Sequence, residues 1–372
     1  MSPALYYLLG CFLYEAGEYE DSVEEYIMAI EKHPSYLRAY ANLGFVLMEI
    51  GEHERALPVL LKSVELGANE SQIYGLIGFV YSNAGLYESA LVAYRLAIFL
   101  NPTSREWRKG VLSCLIDMER NEEALNVLDE MIAFEYDNST KWIQRASILF
   151  ELGEKDSAIA NTQVAHLLGG ESFKSQLFLG NMLYEKMHYS SAVDAFIRSG
   201  EISESRSRLE EVLPLVRRLL FDGEYSESKR LLEAIQQRAS SLDVELNSNV
   251  IAYFKASFLT KDEKYEEALV ILDSLVDKEP MNGDLLLSKA KVLSALGMIE
   301  DAMTTLVVAQ TIKGTEYSAR IMHCNLAIEV GDIDKALSLL REAYLITESY
   351  GLFRHIRELE DYLRREDYSG RE

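Results

Sequence analysis

Apolar and polar positions along this chain follow a pattern that returns every 34 residues. The segment Tyr40-Ala41-Asn42-Leu43-Gly44 is answered by Tyr74-Gly75-Leu76-Ile77-Gly78, and Gly51-Glu52-His53-Glu54-Arg55-Ala56 by Gly85-Leu86-Tyr87-Glu88-Ser89-Ala90. Within each period the apolar residues sit at helical spacing in two short runs separated by a glycine, where the first helix ends and a left-handed residue suits the turn. Each period therefore predicts two antiparallel helices. Small residues, from Ser22 and Ala56 to Ala302 and Ala336, recur where the two helices approach closely. Tyr19, Tyr87, Tyr189, Tyr225 and Tyr265 open the second helix of their units beside the turn.

A period of 34 with a small residue at position 8, Gly at 15, Ala at 20 and 27, and Pro at 32 resembles the tetratricopeptide repeat. Ten units follow this pattern: 3–36, 37–70, 71–104, 105–138, 139–172, 173–206, 209–242, 249–282, 283–316 and 317–350. The resemblance covers almost the whole chain. It implies an all-α fold, a right-handed α-α superhelix (solenoid) of helix-turn-helix repeats in which each unit buries its apolar face only against its neighbours.

The spacing predicts an N-terminal array of six repeats over 1–206, a C-terminal array of four over 207–350, and a capping helix and tail over 351–372. Register slips by two residues after 206 and by six before 249. Ser199–Ser205 is polar and Pro214 falls inside an expected helix, so a bend is expected at about 200–215. Two readings of that region stand open, a hinge between subdomains and drift in the repeat. An early start of the eighth unit's first helix, near Asp243, is expected to absorb the second slip. Leu352, Ile356, Leu359 and Leu363 form one helical stripe opposite Arg354, Arg357, Glu358, Asp361 and Arg364, as a solubilising lid requires. At the other end, Ala4 to Leu13 is apolar nearly all round. Either this helix self-associates or meets a partner, or residues preceding Met1 cover it.

Charge narrows the partners. Lys plus Arg number 37 against 60 Asp plus Glu, a net charge of −23, which repels nucleic-acid phosphates and anionic lipid. The expected partner is thus a protein or peptide bearing a basic or apolar segment, with neither nucleic acid nor membrane insertion involved. The apolar run at the N-terminus is too short to span a bilayer, and no signal segment precedes it. The location expected is cytoplasmic, or exported if a signal segment has been removed. Cys11, Cys114 and Cys324 lie far apart without a CxxC pair, as reduced thiols do. No HExxH, phosphate-binding glycine loop or GxSxG elbow occurs, so neither cofactor, metal nor catalytic residue is expected.

In the family that the chain resembles, positions 2, 5, 9 and 12 of each first helix line the concave groove. In units one to three these are Tyr7, Cys11 and Tyr14, then Arg38, Ala41, Phe45 and Met48, then Gln72, Gly75, Phe79 and Ser82. Their aromatic and thioether groups suit a peptide with apolar anchors. Units four to six offer Lys109, Ser113, Lys174, Leu177, Asn181 and Tyr184. Some members clamp a peptide carboxylate with Lys, Asn and Arg at set positions. Here Lys109, Ser113, Gln144 and Lys174 match in part, Phe178 replaces the arginine, and of the first three units only Asn42 fits. The function expected is a non-catalytic interaction scaffold or adaptor that binds a peptide or protein segment in the groove. The alternative is a chaperone for a secreted or assembly-prone client.

Overall fold

The computed structural model describes residues 1–347 and 350–369, with side chains described for all of these except 350 and 361–369. Among the described residues there are 21 α-helices and no strand. The chain divides into two compact units, Met1–Ser175 and Gln176–Glu372, each an all-α stack of helix pairs.

The first unit comprises α1 (Pro3–Ala16), α2 (Tyr19–Lys32), α3 (Leu37–Glu49), α4 (His53–Glu65), α5 (Ser71–Asn83), α6 (Tyr87–Leu100), α7 (Arg105–Asp117), α8 (Asn121–Phe134), α9 (Ser139–Glu151) and α10 (Lys155–Leu167). The second begins within α11 (Phe173–Glu185). It continues through α12 (Tyr189–Ile202), α13 (Arg206–Phe221), α14 (Tyr225–Ser241), α15 (Ser248–Lys261), α16 (Tyr265–Lys278), α17 (Gly283–Ala295), α18 (Ile299–Ala309), α19 (Glu316–Glu329), α20 (Ile333–Thr347) and α21 (Tyr350–Ser369).

One backbone device ends every odd-numbered helix from α1 to α19. Position 15 is left-handed at Gly17, Gly51, Gly85, Glu119, Gly153, Met187, Gly223, Glu263, Gly297 and Gly331. The next amide then reaches back to a carbonyl of the closing turn, as Glu52 N does to Leu47 O at 2.8 Å and His188 N to Leu183 O at 2.9 Å. These bonds satisfy carbonyls that the helix end would otherwise leave unpaired.

Packing inside a pair also repeats. The position-8 glycines lie directly under a large side chain sixteen residues later: Gly10 under Tyr26, Gly44 under Leu60, Gly78 under Tyr94, Gly180 under Phe196. A methyl group at Gly180 would stand 2.3 Å from the Phe196 ring. Only a residue without Cβ lets the second helix come this close. Ala56, Ala90, Ala158, Ala192, Ala268, Ala302 and Ala336 are fully buried at position 20. Where Ser22 and Ser228 replace alanine, each hydroxyl donates at 2.8 Å to the position-8 carbonyl, of Gly10 and Val216 respectively. A buried hydroxyl is thereby satisfied at no cost in space.

Between pairs, Trp107 of α7 inserts against α5. Its indole faces Gly75, where a Cβ would meet it at 2.4 Å, and stacks on Tyr94 with centroids 6.2 Å apart. Its Nε1 donates to Ser71 Oγ at 3.1 Å. Nearby, Lys141 at the start of α9 is buried and donates to Glu135, which also pairs with Arg105 at 2.7 Å and accepts from Asn138 at 3.0 Å. The Lys141 ammonium, then Asn138, hold the Glu135 carboxyl below the usual carboxylate range. A depressed folded-state pKa stabilises above the unfolded-state value and is lost as pH falls through the folded one. Urea midpoints are therefore expected to drop on acidification more steeply in the parent than in Glu135→Gln. Parallel curves would show that the pair contributes nothing to stability.

The irregular region differs from expectation in one place, the second slip. Helix α13 starts at Arg206, capped by Ser205, and runs through an exposed Pro214. The second slip is absorbed by α14, extended to 17 residues, and by a turn with left-handed Asp243, not by an early start of α15. Asn247 caps α15, its side chain accepting from Asn249 and Val250 amides. Here α14 packs directly on α12.

At the ends, Leu352 and Ile356 of α21 are buried against Ala336, Leu340 and Ala343 of α20. Leu363, Asp361 and Arg364 lie outside the described side chains, and 370–372 outside the described residues. On α1, Leu5, Leu8 and Phe12 form an exposed stripe, Phe12 at 65%.

Candidate functional site

The first helices of successive pairs touch one another, α1 against α3, α5 against α7, α15 against α17 and α17 against α19. Among the described residues, α12 on α14 is the one pair of second helices that packs in this way. In these places the first helices lie against one another within each unit. At their positions 2, 9 and 12 some side chains stay open and others are covered.

Position 5 is consumed by packing. Ala41 is buried, Gly75 lies under Trp107, and Tyr7 rests on Tyr36 with centroids 5.2 Å apart. Asn42 is spent internally as well. Its amide donates to the hydroxyls of Tyr26 at 3.3 Å and Tyr7 at 3.4 Å, and approaches Cys11 Sγ at 3.5 Å. Tyr26 in turn donates to Cys11 Sγ, and burial pushes its phenol pKa up. This cluster ties the first two pairs together. It turns polar atoms inward and leaves little for a ligand.

Other candidates do face outward. Arg38, Gln72, Lys109 and Lys174 are exposed, and Tyr14 and Phe79 are exposed at 37% and 40%. Phe45 and Met48 are half-buried against the core of the first pairs. Phe79 meets the ring of His53 edge-on at 5.6 Å and 72°. His53 opens α4, a position that the first-helix pattern does not sample. The first unit thus keeps several apolar candidates open or partly open, with Arg38 and Gln72 exposed at position 2 of its helices.

In the second unit Asn181 is half-buried and Tyr184 is 6% exposed. The Tyr184 hydroxyl donates to Asp222, and Arg218 lies 3.8 Å above its ring. Tyr184 therefore serves the junction of α11 with α13. Carrying positions 5, 9 and 12 onward into units seven to nine gives nine residues, six of them Tyr253, Arg217, Ser257, Lys291, Leu220 and Thr260. All six line one pocket of about 320 Å³. The expected site residues stop at unit six, short of this pocket, though the same spacing leads to it.

Cys114 and Cys324 are buried, which pushes their thiol pKa values up and disfavours the reactive thiolate. Among the described residues no cluster of three His, Cys, Asp or Glu side chains is placed to hold a metal ion, and no helix is long and apolar enough to cross a membrane.

A family model described as TPR repeat matches residues 12–51, and one described as tetratricopeptide repeat matches 37–69 and 71–104. No curated protein matches the sequence significantly. Among solved structures, MamA (41-end) from Desulfovibrio magneticus RS-1 is 20% identical over 45% of this chain and 94% of its own, with a TM-score of 0.40. YrrB, described as a TPR protein with an unusual peptide-binding site, is 19% identical over 50% of this chain and 96% of its own, TM-score 0.43. Yeast Tom70 is 13% identical over 99% and 96% respectively, TM-score 0.39.

Proposed function

We propose that this chain, a tetratricopeptide-repeat protein, is an interaction scaffold that captures a polypeptide segment on the inner face of its first unit. The observation that carries this reading is the strip of Tyr14, Phe45, Met48 and Phe79. Tyr14 and Phe79 are exposed, and Phe45 and Met48 keep part of their surface open while packing against the core. Aromatic and thioether groups of this kind supply contact area at low conformational cost and adapt to the shape of a segment. Position-2 residues Arg38 and Gln72 add polar contacts at the edge of the strip. Catalysis has no part in this reading.

The test is capture by the natural full-length protein. Phe45→Ala with Phe79→Ala is expected to reduce recovery of its partner at least about tenfold, because two central apolar anchors commonly carry 1–2 kcal/mol each or more. Helicity by circular dichroism is expected to stay unchanged. Undiminished capture by the double variant would move the site off this strip. A second reading, shielding of an aggregation-prone client, is favoured by the open Leu5, Leu8 and Phe12 stripe on α1. It requires many clients instead of one, which mass spectrometry of the captured material separates.

A further inference from the structure

We infer that the pocket on the inner face of the second unit is a docking site for an acidic peptide segment carrying a bulky apolar residue. This extends the reading of the first helices as a binding face to a second, chemically different position, and it rests on that reading.

Three first helices build the pocket. Helix α13 supplies Arg217 and Phe221, α15 supplies Tyr253, and α17 supplies Asp284 and Lys291. Tyr225, which opens α14, closes one wall. Its volume of about 320 Å³ accepts one or two side chains, not a small domain.

Its charge opposes that of the chain as a whole. Arg217 lies 5.4 Å over the Tyr253 ring, and the Lys261 ammonium lies 4.6 Å over the Tyr225 ring. Among the lining residues two cations, Arg217 and Lys291, stand against one carboxylate, Asp284. The next carboxylate along the wall, Glu279, accepts from the amides of Asn249 and Asn282 at 3.1 and 2.9 Å. Stacking on tyrosine fixes the guanidinium plane while leaving its edge N–H groups for an acceptor. The net charge of −23 repels an acidic peptide at long range. At physiological salt that field is screened within about 8 Å, so the groups lining the pocket decide.

Asp284 already shows what the pocket takes. Its Oδ2 lies 3.3 Å from Arg217 Nη1, in a pair whose side chains are 52% and 59% exposed. An exposed single-bond pair of this kind contributes little, so a carboxylate able to grip the fork with both oxygens displaces it. In this view Asp284 is an internal stand-in and competitor for the ligand. Phe221, 91% exposed at the rim, offers the apolar contact.

The experiment uses fluorescence anisotropy at about 0.15 M salt. Its probes are a fluorescein-labelled peptide of Phe flanked by Glu and its counterpart flanked by Lys, each added to the full chain. The acidic peptide is expected to bind and the basic one not. Arg217→Ala with Lys291→Ala is expected to weaken binding about tenfold or more, as loss of charge-assisted bonds does. Asp284→Asn is expected to tighten binding about threefold, a gain of the size a weak exposed pair allows. A merely structural Asp284 would not produce that gain. A phosphoserine version of the peptide that alone binds, equal affinity for the basic peptide, or unchanged binding in the double variant would each overturn the inference. Arg217 and Lys291 lie on the surface, and unchanged helicity checks that their variants fold. Failure of the acidic peptide while Phe45→Ala and Phe79→Ala still abolish partner capture defeats this inference alone. Intact peptide binding with unaffected capture defeats the first-unit reading alone.

Discussion

Trp107→Ala is expected to destabilise the first unit by about 3–5 kcal/mol, the range for removing a large aromatic from a packed interior. The indole fills the space above Gly75, stacks on Tyr94 and closes a hydrogen bond to Ser71, so three contacts vanish together. Ser71 stays satisfied through its bond to Ala97 O at 2.8 Å, which confines the loss to packing. Because each pair contacts only its neighbours, the effect belongs to the junction of α5, α6 and α7 and is not spread over the chain. Urea unfolding measures the magnitude. Hydrogen exchange is expected to show amides of those helices opening well before amides of the second unit. A loss below about 1 kcal/mol would mean that the junction collapses onto the vacancy, as the better-tolerated core truncations do.

Phe196→Ala is expected to cost a similar amount, about 3–5 kcal/mol, in the second unit. Its more telling effect is on Gly180. Alone, Gly180→Ala drives a methyl group to 2.3 Å from a rigid ring, an overpacking that costs about 1–3 kcal/mol and outweighs the roughly 1 kcal/mol by which alanine favours a helix. With Phe196 already truncated, the ring is gone and the helix preference remains. Gly180→Ala is then expected to stabilise. A double-mutant cycle by urea denaturation reads this change of sign. Additive effects would show that the glycine is not there to admit the ring.

How much of this was legible in the sequence depends on whether a residue answers to its own helix or to a neighbour. The left-handed turn at position 15 and the small residue at position 8 are requirements of a single hairpin. Gly44 and Gly51 therefore announce the fold from their spacing alone. Glu119, Met187 and Glu263 adopt the same turn without glycine, so only the period reveals them. The six-residue slip before unit eight was legible as a count. Where it goes was not, because Asp243 stops α14 through a backbone conformation that aspartate's identity does not dictate.

Site residues divide along the same line. Phe79 faces outward, as its helical position implies. Tyr184, at position 12 of its unit, is expected to face outward too and yet is covered, since Arg218 and Asp222 reach it from the next pair. Helical spacing says which side of a helix a residue occupies. It does not say how far a neighbouring side chain extends. Asn42 is the converse case, matching a ligand-binding pattern while three partners from adjacent helices consume its amide.

The three position-15 turns that lack glycine carry a further consequence. An L-residue with a side chain pays about 1–2 kcal/mol in that conformation, and glycine pays almost none of it. Glu119, Met187 and Glu263 are all solvent-exposed, so no buried contact depends on what stands there. Heat tolerance is thus held below what this backbone permits, and the shortfall sits at three corners away from both apolar core and inner face. A hardier version of the molecule is three codons away, with its recognition chemistry untouched.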